Sequence, residues 1–281
     1  MKILVTGSTG FIGSQLCRAL VAQGHHVLAF HRASSSLRGL EGIPGCHEQP
    51  ELSPVAGCLE HVIGDLTQPE TLAAALQGVE AVFHTAGLIN AGAHPERLFT
   101  VNVEGTRNVL AAARAAGVRR LVYTSSIHAF QHAPHGVVVD ESLPFDPEHA
   151  MGAYDSTKAE ASLEVLQAAR DGLDAVIVAP TGVIGPHDFR TSELGALIRS
   201  WLQPSAALLI DGRYDFVDVR DVVKGEMLAA EKGRRGEVYI LSGEQRHLVQ
   251  MMLTVKQALG LPVKVLTIPL RWAKFFAKFA V

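Results

Sequence analysis

The hydrophobic pattern of this chain alternates between two periods. Short, mostly apolar runs at Met1–Val5, Val27–His31, His61–Ile63, Ala81–His84, Leu121–Thr124 and Ala175–Val178 read as buried strands. Between them, Phe11–Ala22, Glu96–Ala116 and Ala153–Ala169 space their apolar residues as helices do. Strand and helix in alternation predict an α/β fold, a doubly wound parallel sheet with helices on both faces. In such sheets ligands lie beyond the carboxyl ends of the strands, where strand order reverses. Thr6, Arg32, Asp65, Ala86 and Ser126 each follow a predicted strand and are therefore expected to cluster there. Past about Pro180 the alternation loosens. Residues 1–180 are expected to form the main domain and 181–281 mainly a smaller lobe, with 216–242 returning to the main domain. There is no internal repeat and no low-complexity tract.

A chain of 281 residues with 48% hydrophobic content can bury such a core. Its formal charge of -3, without a long basic run, argues against nucleic acid as the main partner. No apolar stretch has the length of a membrane span, and the apolar start is used as the first strand rather than as a leader. The three cysteines, Cys17, Cys46 and Cys58, are odd in number and lack metal-site spacing, which favours reduced thiols in a cytoplasmic setting and no bound metal.

The turn between the first strand and the first helix is Gly7-x-x-Gly10-x-x-Gly13. Glycines at those places let the backbone turn tightly and approach a pyrophosphate, and they let helix and strand pack closely, while the helix N-terminus offers free N–H groups. A carboxylate after the second strand would select NAD by binding the ribose 2′-hydroxyl. Here that place holds Phe30-His31-Arg32, followed by Ser34, Ser35, Ser36 and Arg38, and the first acidic residue of the chain is Glu41. A guanidinium fork suits a phosphate, so Arg32 is expected to contact the 2′-phosphate of NADP, with NAD the less favoured cofactor.

The second chemical signal is Tyr154-x-x-x-Lys158 on a predicted helix, where residues four apart share a face. A free phenol titrates near 10, and an adjacent ammonium lowers that value by stabilising tyrosinate. Tyr154 is thereby suited to general acid–base work on a carbonyl or alcohol.

Thr6-Gly7-Ser8-Thr9-Gly10-Phe11-Ile12-Gly13 together with Tyr154-x-x-x-Lys158 resembles the extended short-chain dehydrogenase/reductase family, within it the dihydroflavonol-reductase-like branch. Gly64-Asp65-Leu66, Asn102-Val103-Glu104-Gly105-Thr106, Thr124-Ser125-Ser126, Pro180-Thr181-Gly182-Val183-Ile184-Gly185-Pro186 and Phe216-Val217-Asp218-Val219-Arg220-Asp221 follow in the family's order. The resemblance implies a Rossmann domain and a catalytic set of Ser126, Tyr154 and Lys158, with Ser125 the weaker choice of serine. It implies cofactor contacts from Thr6, Gly7, Thr9, Gly10, Phe11, Ile12 and Gly13, from Asp65 and Leu66 at the adenine, and from Thr85, Ala86 and Gly87 along the channel. Thr124, Pro180, Thr181 and Val183 complete that set; Asn102 belongs to it indirectly, and Lys158 would also hold the nicotinamide ribose. Pairing of the helices near Glu96–Ala116 and Ala153–Ala169 would make a homodimer.

Fold and triad are shared by reductases, nucleotide-sugar epimerases and dehydratases. Dehydratases of the family place acids after the catalytic hydroxyl, where this chain has Ile127-His128; its epimerases usually have tyrosine before Gly-Pro, where this chain has Ile184. The reading is therefore NADP-linked reduction of a ketone or aldehyde, or oxidation of the alcohol, on a small, moderately apolar molecule. The alternatives are an epimerase or dehydratase of the same fold and an NADP-sensing regulator without turnover. Three further features stand apart. His128, His132 and His135 have spacing that a helix could gather on a metal, but Pro134 favours a substrate loop. The Ser-, Gly- and Pro-rich stretch from Ala33 to Cys58 is a long loop of the functional or disordered kind. Trp272, Phe275, Phe276 and Phe279 form an apolar stripe expected to dock on the protein's own core, with peripheral membrane contact as the alternative. The resembling family continues past such a helix, so a lobe cut short or completed by a partner chain is also an expectation. Substrate specificity is assigned to the loops 188–197 and 203–215.

Overall fold

The computed structural model describes residues 1–46, 57–90, 92, 94–134, 136–203, 207–210, 212–262 and 265–268. Part of the long loop, His135 and the aromatic stripe at 272–279 lie outside the described residues. Packing divides the chain into two compact units, Met1–Pro180 with Val219–Leu241, and Thr181–Asp218 with Ser242–Val281.

The first unit is a seven-stranded, all-parallel sheet. Its strands are β1 (Lys2–Thr6), β2 (His26–His31), β3 (Cys58–Ile63), β4 (Ala81–His84), β5 (Arg120–Thr124), β6 (Ala175–Pro180) and β10 (Val238–Leu241). Their order is β10-β6-β5-β4-β1-β2-β3, so the chain reverses direction across the sheet between β1 and β4. The strands are continuously apolar because both faces are covered. Leu4 of β1 joins Leu28, Leu121 and Tyr123 in one core, while its neighbours Ile3 and Val5 join Val27, Phe83 and Val122 in the other. The first face is covered by α4 (Gly105–Ala115) and α5 (Ala153–Arg170), together with α2 (Pro69–Ala75). The second is covered by α1 (Phe11–Ala22) and α7 (Val219–Lys232). Each fully buried Val or Leu contributes about 2 kcal/mol, so the two layers fix the register of every strand.

The single helix expected over 96–116 is instead three pieces in one axis. These are α3 (Glu96–Phe99), a π turn over Thr100–Glu104, and α4. The widened turn carries Asn102, whose buried amide is tied to another part of the chain, and such an inserted residue is a common feature of functional sites. The cysteine expectation is corrected as well. Cys46 and Cys58 are joined as a disulfide that ties the segment 33–46 to the start of β3, and only Cys17 is a free thiol among the described residues. Burial pushes the Cys17 thiol well above its usual range.

The second unit contains β7 (Gly182–Ile184), β9 (Arg213–Asp218) and β11 (Glu244–His247) in the order β11-β9-β7, and a parallel pair of β8 (Ala207–Ile210) and β12 (Val265–Ile268). Its helices are α6 (Glu193–Trp201), capped by the Ser192 hydroxyl accepting from Gly195 N, and α8 (Leu248–Ala258). Trp201 and Met252 centre its core. No helix among the described residues is long and apolar enough to cross a membrane.

Candidate functional site

At the carboxyl end of β1 the chain enters the glycine turn. Gly7 has φ +68°, and a Cβ there would lie 2.6 Å from Ala86 N; a Cβ on Gly13 would meet Gly7 O and stand 2.7 Å from Thr85 Oγ1. The turn is thus pressed against the segment following β4, and only glycine fits either place. Thr85 seals the contact by donating its hydroxyl to Thr6 O at 2.8 Å, and Ser8 donates to Phe30 O at the end of β2 at 3.0 Å. Helix α1 begins at Gly10 with no side-chain cap and no acid in its first turn. Its positive end is left for an anion, which is the donor set a dinucleotide pyrophosphate requires. Phe11 and Ile12 open that helix, half-buried, and Thr9 is buried in the turn.

Around this cradle the expected residues hold varied positions. Arg32 and Ser34 are exposed just past β2, with Ser35 N turned back onto Arg32 O. Asp65 follows β3 and accepts from Thr67 N and Oγ1, both at 2.9 Å, while the buried Leu66 packs against Gly105. Gly64 must be glycine because a Cβ would strike the Phe30 ring. Asn102 is occupied: it accepts from Leu88 N at 2.7 Å and donates to Leu88 O at 2.9 Å and to Thr157 Oγ1 at 3.0 Å. It therefore ties the segment after β4 to α5, a clamp on the cradle's wall. Pro180 ends β6 in the first unit. Thr181, which donates to Asp215 Oδ1 at 2.7 Å, and Val183 belong to the second unit.

Strand β5 ends in the catalytic candidates. Ser125 is buried and its hydroxyl is shared with Ser162 of α5 at 2.7 Å, whereas Ser126 caps the short 3-10 turn Ile127–Ala129 by accepting from His128 N at 3.2 Å. Ser125, directly after β5, is committed to helix–sheet packing, while Ser126, also buried, lies one residue further on and has no such helix hydroxyl as partner among the described residues. Helix α5 packs on that same turn and brings Tyr154, half-buried in its first turn, and Lys158 one turn on. Lys158 is buried. Its Nζ donates to Thr124 O at 2.6 Å and Tyr123 Oη at 2.8 Å, and a Cβ on Gly87 would lie 4.0 Å from it. The ammonium thus stands beside the glycine of the Thr85-Ala86-Gly87 segment. Burial lowers the Lys158 pKa to about 7, with the Glu226 carboxylate working against the shift.

Several members of this network carry no motif. His84 is buried between Thr6 Oγ1, 2.7 Å from Nδ1, and Thr106 Oγ1, 3.0 Å from Nε2. The Thr106 hydroxyl proton goes to Asn102 O at 2.6 Å, so Nε2 is the donor and Nδ1 accepts from Thr6. Burial, helped by Lys158, holds the His84 pKa down at about 3 and keeps the ring neutral. Tyr123, under the Lys158 ammonium at 4.3 Å from ring centroid to Nζ, is pushed far above the usual phenol range by burial and then by Tyr154. Glu226 accepts the Thr124 hydroxyl at 2.5 Å. A signal for Glu226 was present in the sequence: it sits on the apolar stripe of α7 with Val219, Val222, Val223 and Ala229.

Among the described residues one group of metal-type donors stands together, His26, Cys46 and Cys58, with ligand atoms within 4.8 Å of one another. Its two sulfurs are bound to each other and His26 Nε2 is 2.8 Å from Glu60 Oε2. His128 and His132 are exposed on the 3-10 turn and the loop after it, not on one helix.

Residues 3–242 match the family model described as "NAD dependent epimerase/dehydratase family". The chain is 38% identical over 272 residues to the sterol demethylase protein B of Methylococcus capsulatus, covering 96% of this chain and 78% of that protein. It is 36% identical over 271 residues to a putative dihydroflavonol 4-reductase of Synechocystis, covering 95% and 75%. Among solved structures it is similar to gox2253, with a TM-score of 0.85 and 34% identity over 96% of this chain and 78% of that one.

Proposed function

From the premise that the chain belongs to the NAD dependent epimerase/dehydratase family of nicotinamide-linked enzymes, we propose that it is an NADP-dependent oxidoreductase acting on the ketone or secondary alcohol of an apolar small molecule. The observation that carries this reading is the buried Lys158 ammonium, fixed at the end of β5 beside Gly87 and one helical turn from Tyr154. A bound nicotinamide supplies or accepts the hydride. Tyr154 gives the proton to the carbonyl oxygen, or takes it from the alcohol. Lys158 stabilises the tyrosinate left behind, and Ser126 orients the substrate oxygen. The glycine turn and the uncapped start of α1 hold the pyrophosphate, with Arg32 and the serines after β2 on the 2′-phosphate.

The apolar substrate is supported by relatives named for such molecules. They include the sterol demethylase protein, a farnesyl-dihydroquinoline-oxide ketoreductase of Stigmatella aurantiaca and 3-beta-hydroxysteroid dehydrogenases of mycobacteria. The second unit is assigned the substrate lobe, and α4 and α5 the surface of a homodimer. The test is NADPH oxidation with a panel of steroid and isoprenoid ketones, with the corresponding alcohols and NADP+ in reverse. Turnover that falls at least about a thousandfold in Tyr154→Phe, with NADPH affinity unchanged, is expected. Full activity in Tyr154→Phe sinks the mechanism, and tight NADPH binding with no turnover of any compound moves the protein to the epimerase or sensor readings.

A further inference from the structure

Glu226 is completely buried, and Oε2 has no hydrogen-bond partner while Oε1 takes the Thr124 hydroxyl. An incompletely solvated carboxylate inside a core is destabilising, and an apolar side chain would complete the stripe of α7 at lower cost. Packing alone therefore does not explain an acid at this position.

The alternation of β5 shows what it faces. Val122 and Thr124 point to the layer of α7, and Tyr123 points to the layer of α5. Thr124 is consequently gripped from both sides of the sheet. Its hydroxyl is held by Glu226 from α7, and its carbonyl oxygen holds Lys158 Nζ from α5. Helix α7 is packed by α1, β5, β6 and β10. Their ionisable side chains are Cys17 and Arg18, Arg120 and Tyr123, none on β6, and Tyr239. Arg18 is spent on Gly39 O and Glu41 O. Arg120 is spent on Asp174 and on the carbonyls of Ala229 and Gly233. Burial keeps Cys17 and Tyr123 neutral, and the Tyr239 hydroxyl accepts from Arg234 N. On α7 itself Arg220, Asp221, Lys224, Glu231 and Lys232 are exposed, so the buried cation that acts on Glu226 is Lys158.

We propose, resting on the reading of Lys158 as the lysine of the active site, that Glu226 is a positioning residue that acts through the sheet, fixing Thr124 and keeping Lys158 charged beside Tyr154. Each group shifts as this arrangement requires. Burial raises the Glu226 carboxyl to about 7, opposed by the Thr124 hydrogen bond and by Lys158, and Glu226 in turn opposes the fall of Lys158. Loss of the carboxylate lets Lys158 fall further, so that it is neutral at a lower pH.

The experiment follows the lysine side-chain NMR signals of 13C-labelled protein against pH, with the Lys158 signal identified by its loss in Lys158→Met. In Glu226→Gln the Lys158 midpoint is expected to move to lower pH by about one unit, and Glu226→Asp, which keeps the charge, is expected to restore most of it. With a turned-over substrate, the alkaline fall of kcat moves by the same amount, so activity at pH 8 drops about tenfold while the KM for NADPH is unchanged. Should Glu226→Gln not fold, Glu226→Asp and Thr124→Val are read instead; each is expected to shift the Lys158 midpoint by less than one unit and to lower kcat. An unchanged midpoint in folded variants overturns the inference whatever the turnover. A protein that turns over no carbonyl but whose Lys158 midpoint shifts overturns the proposed reaction and leaves the Glu226–Lys158 link standing.

Discussion

At the scale of single residues, the proposed preference for NADP rests on Arg32. It lies one residue beyond β2, is exposed, and has no acid near it in sequence to bind a ribose hydroxyl. An exposed guanidinium has freedom to close on a phosphate, and it contributes to NADP what it cannot contribute to NAD. Arg32→Ala is expected to weaken NADPH binding by at least tenfold and NADH binding by less than threefold, as read by calorimetry at one ionic strength. Equal losses for the two nucleotides would remove Arg32 from the 2′-phosphate. The proposed role of Ser126, in place of Ser125, at the substrate oxygen belongs to the same scale. Thr124-Ser125-Ser126 alone offered a preference for Ser126, and the Ser125–Ser162 hydrogen bond that supports it needs the packing of α5 on β5. Tyr123, His84 and Thr106 were illegible for the same reason. They become a network only when β1, β4, β5 and α4 are laid side by side.

At the scale of elements, six strands of the parallel sheet were legible because parallel strands covered on both faces leave an unbroken apolar signature, whereas the half-buried edge strand β10 was not. The glycine turn was legible because steric exclusion at Gly7 and Gly13 leaves no other residue type. The π turn at Thr100–Glu104 was not, since one added residue hardly alters a helical period while it sets the direction of Asn102. The neighbouring faces of α4 and α5 carry the proposed dimer. Arg107 of α4 bridges to Glu160 and Glu164 of α5, which makes the two helices one surface, and Leu163 and Phe99 are exposed large apolar side chains on α5 and α3. An exposed leucine at a helix-pair interface is a site where charge is poorly tolerated. Leu163→Glu is therefore expected to convert a dimer to monomer in light scattering, with NADPH affinity preserved; a wild-type protein that is monomeric at micromolar concentration would end that assignment.

At the scale of the whole molecule, the buried ionisable groups write the site into the pH dependence of folding. His84 stays neutral because its ring is enclosed and both nitrogens are engaged by hydroxyls, so its pKa is about 3 in the folded protein against 6.5 ordinarily. Between these values the unfolded chain binds a proton that the folded chain refuses. Stability is accordingly lost as pH falls from about 6.5 toward 3. Glu226 acts in the opposite sense, since its raised folded pKa means stability that is present below 4.5 and lost as pH rises through about 7. The two slopes offset each other over much of the mildly acid range, and a single melting curve conceals both. Their separation requires a difference between proteins that share Glu226. His84→Gln keeps a donor for Thr106 and an acceptor for Thr6 but cannot be protonated. Its unfolding free energy in urea is expected to depend on pH between 4 and 6 with a slope smaller than that of the wild type by close to one proton, about 1.4 kcal/mol per pH unit. Identical slopes would mean that His84 is charged or solvated in the folded protein. The Thr6–His84–Thr106 link joining the cradle to the helix of Asn102 would then be wrong, and with it the account of how one sheet presents both halves of the site.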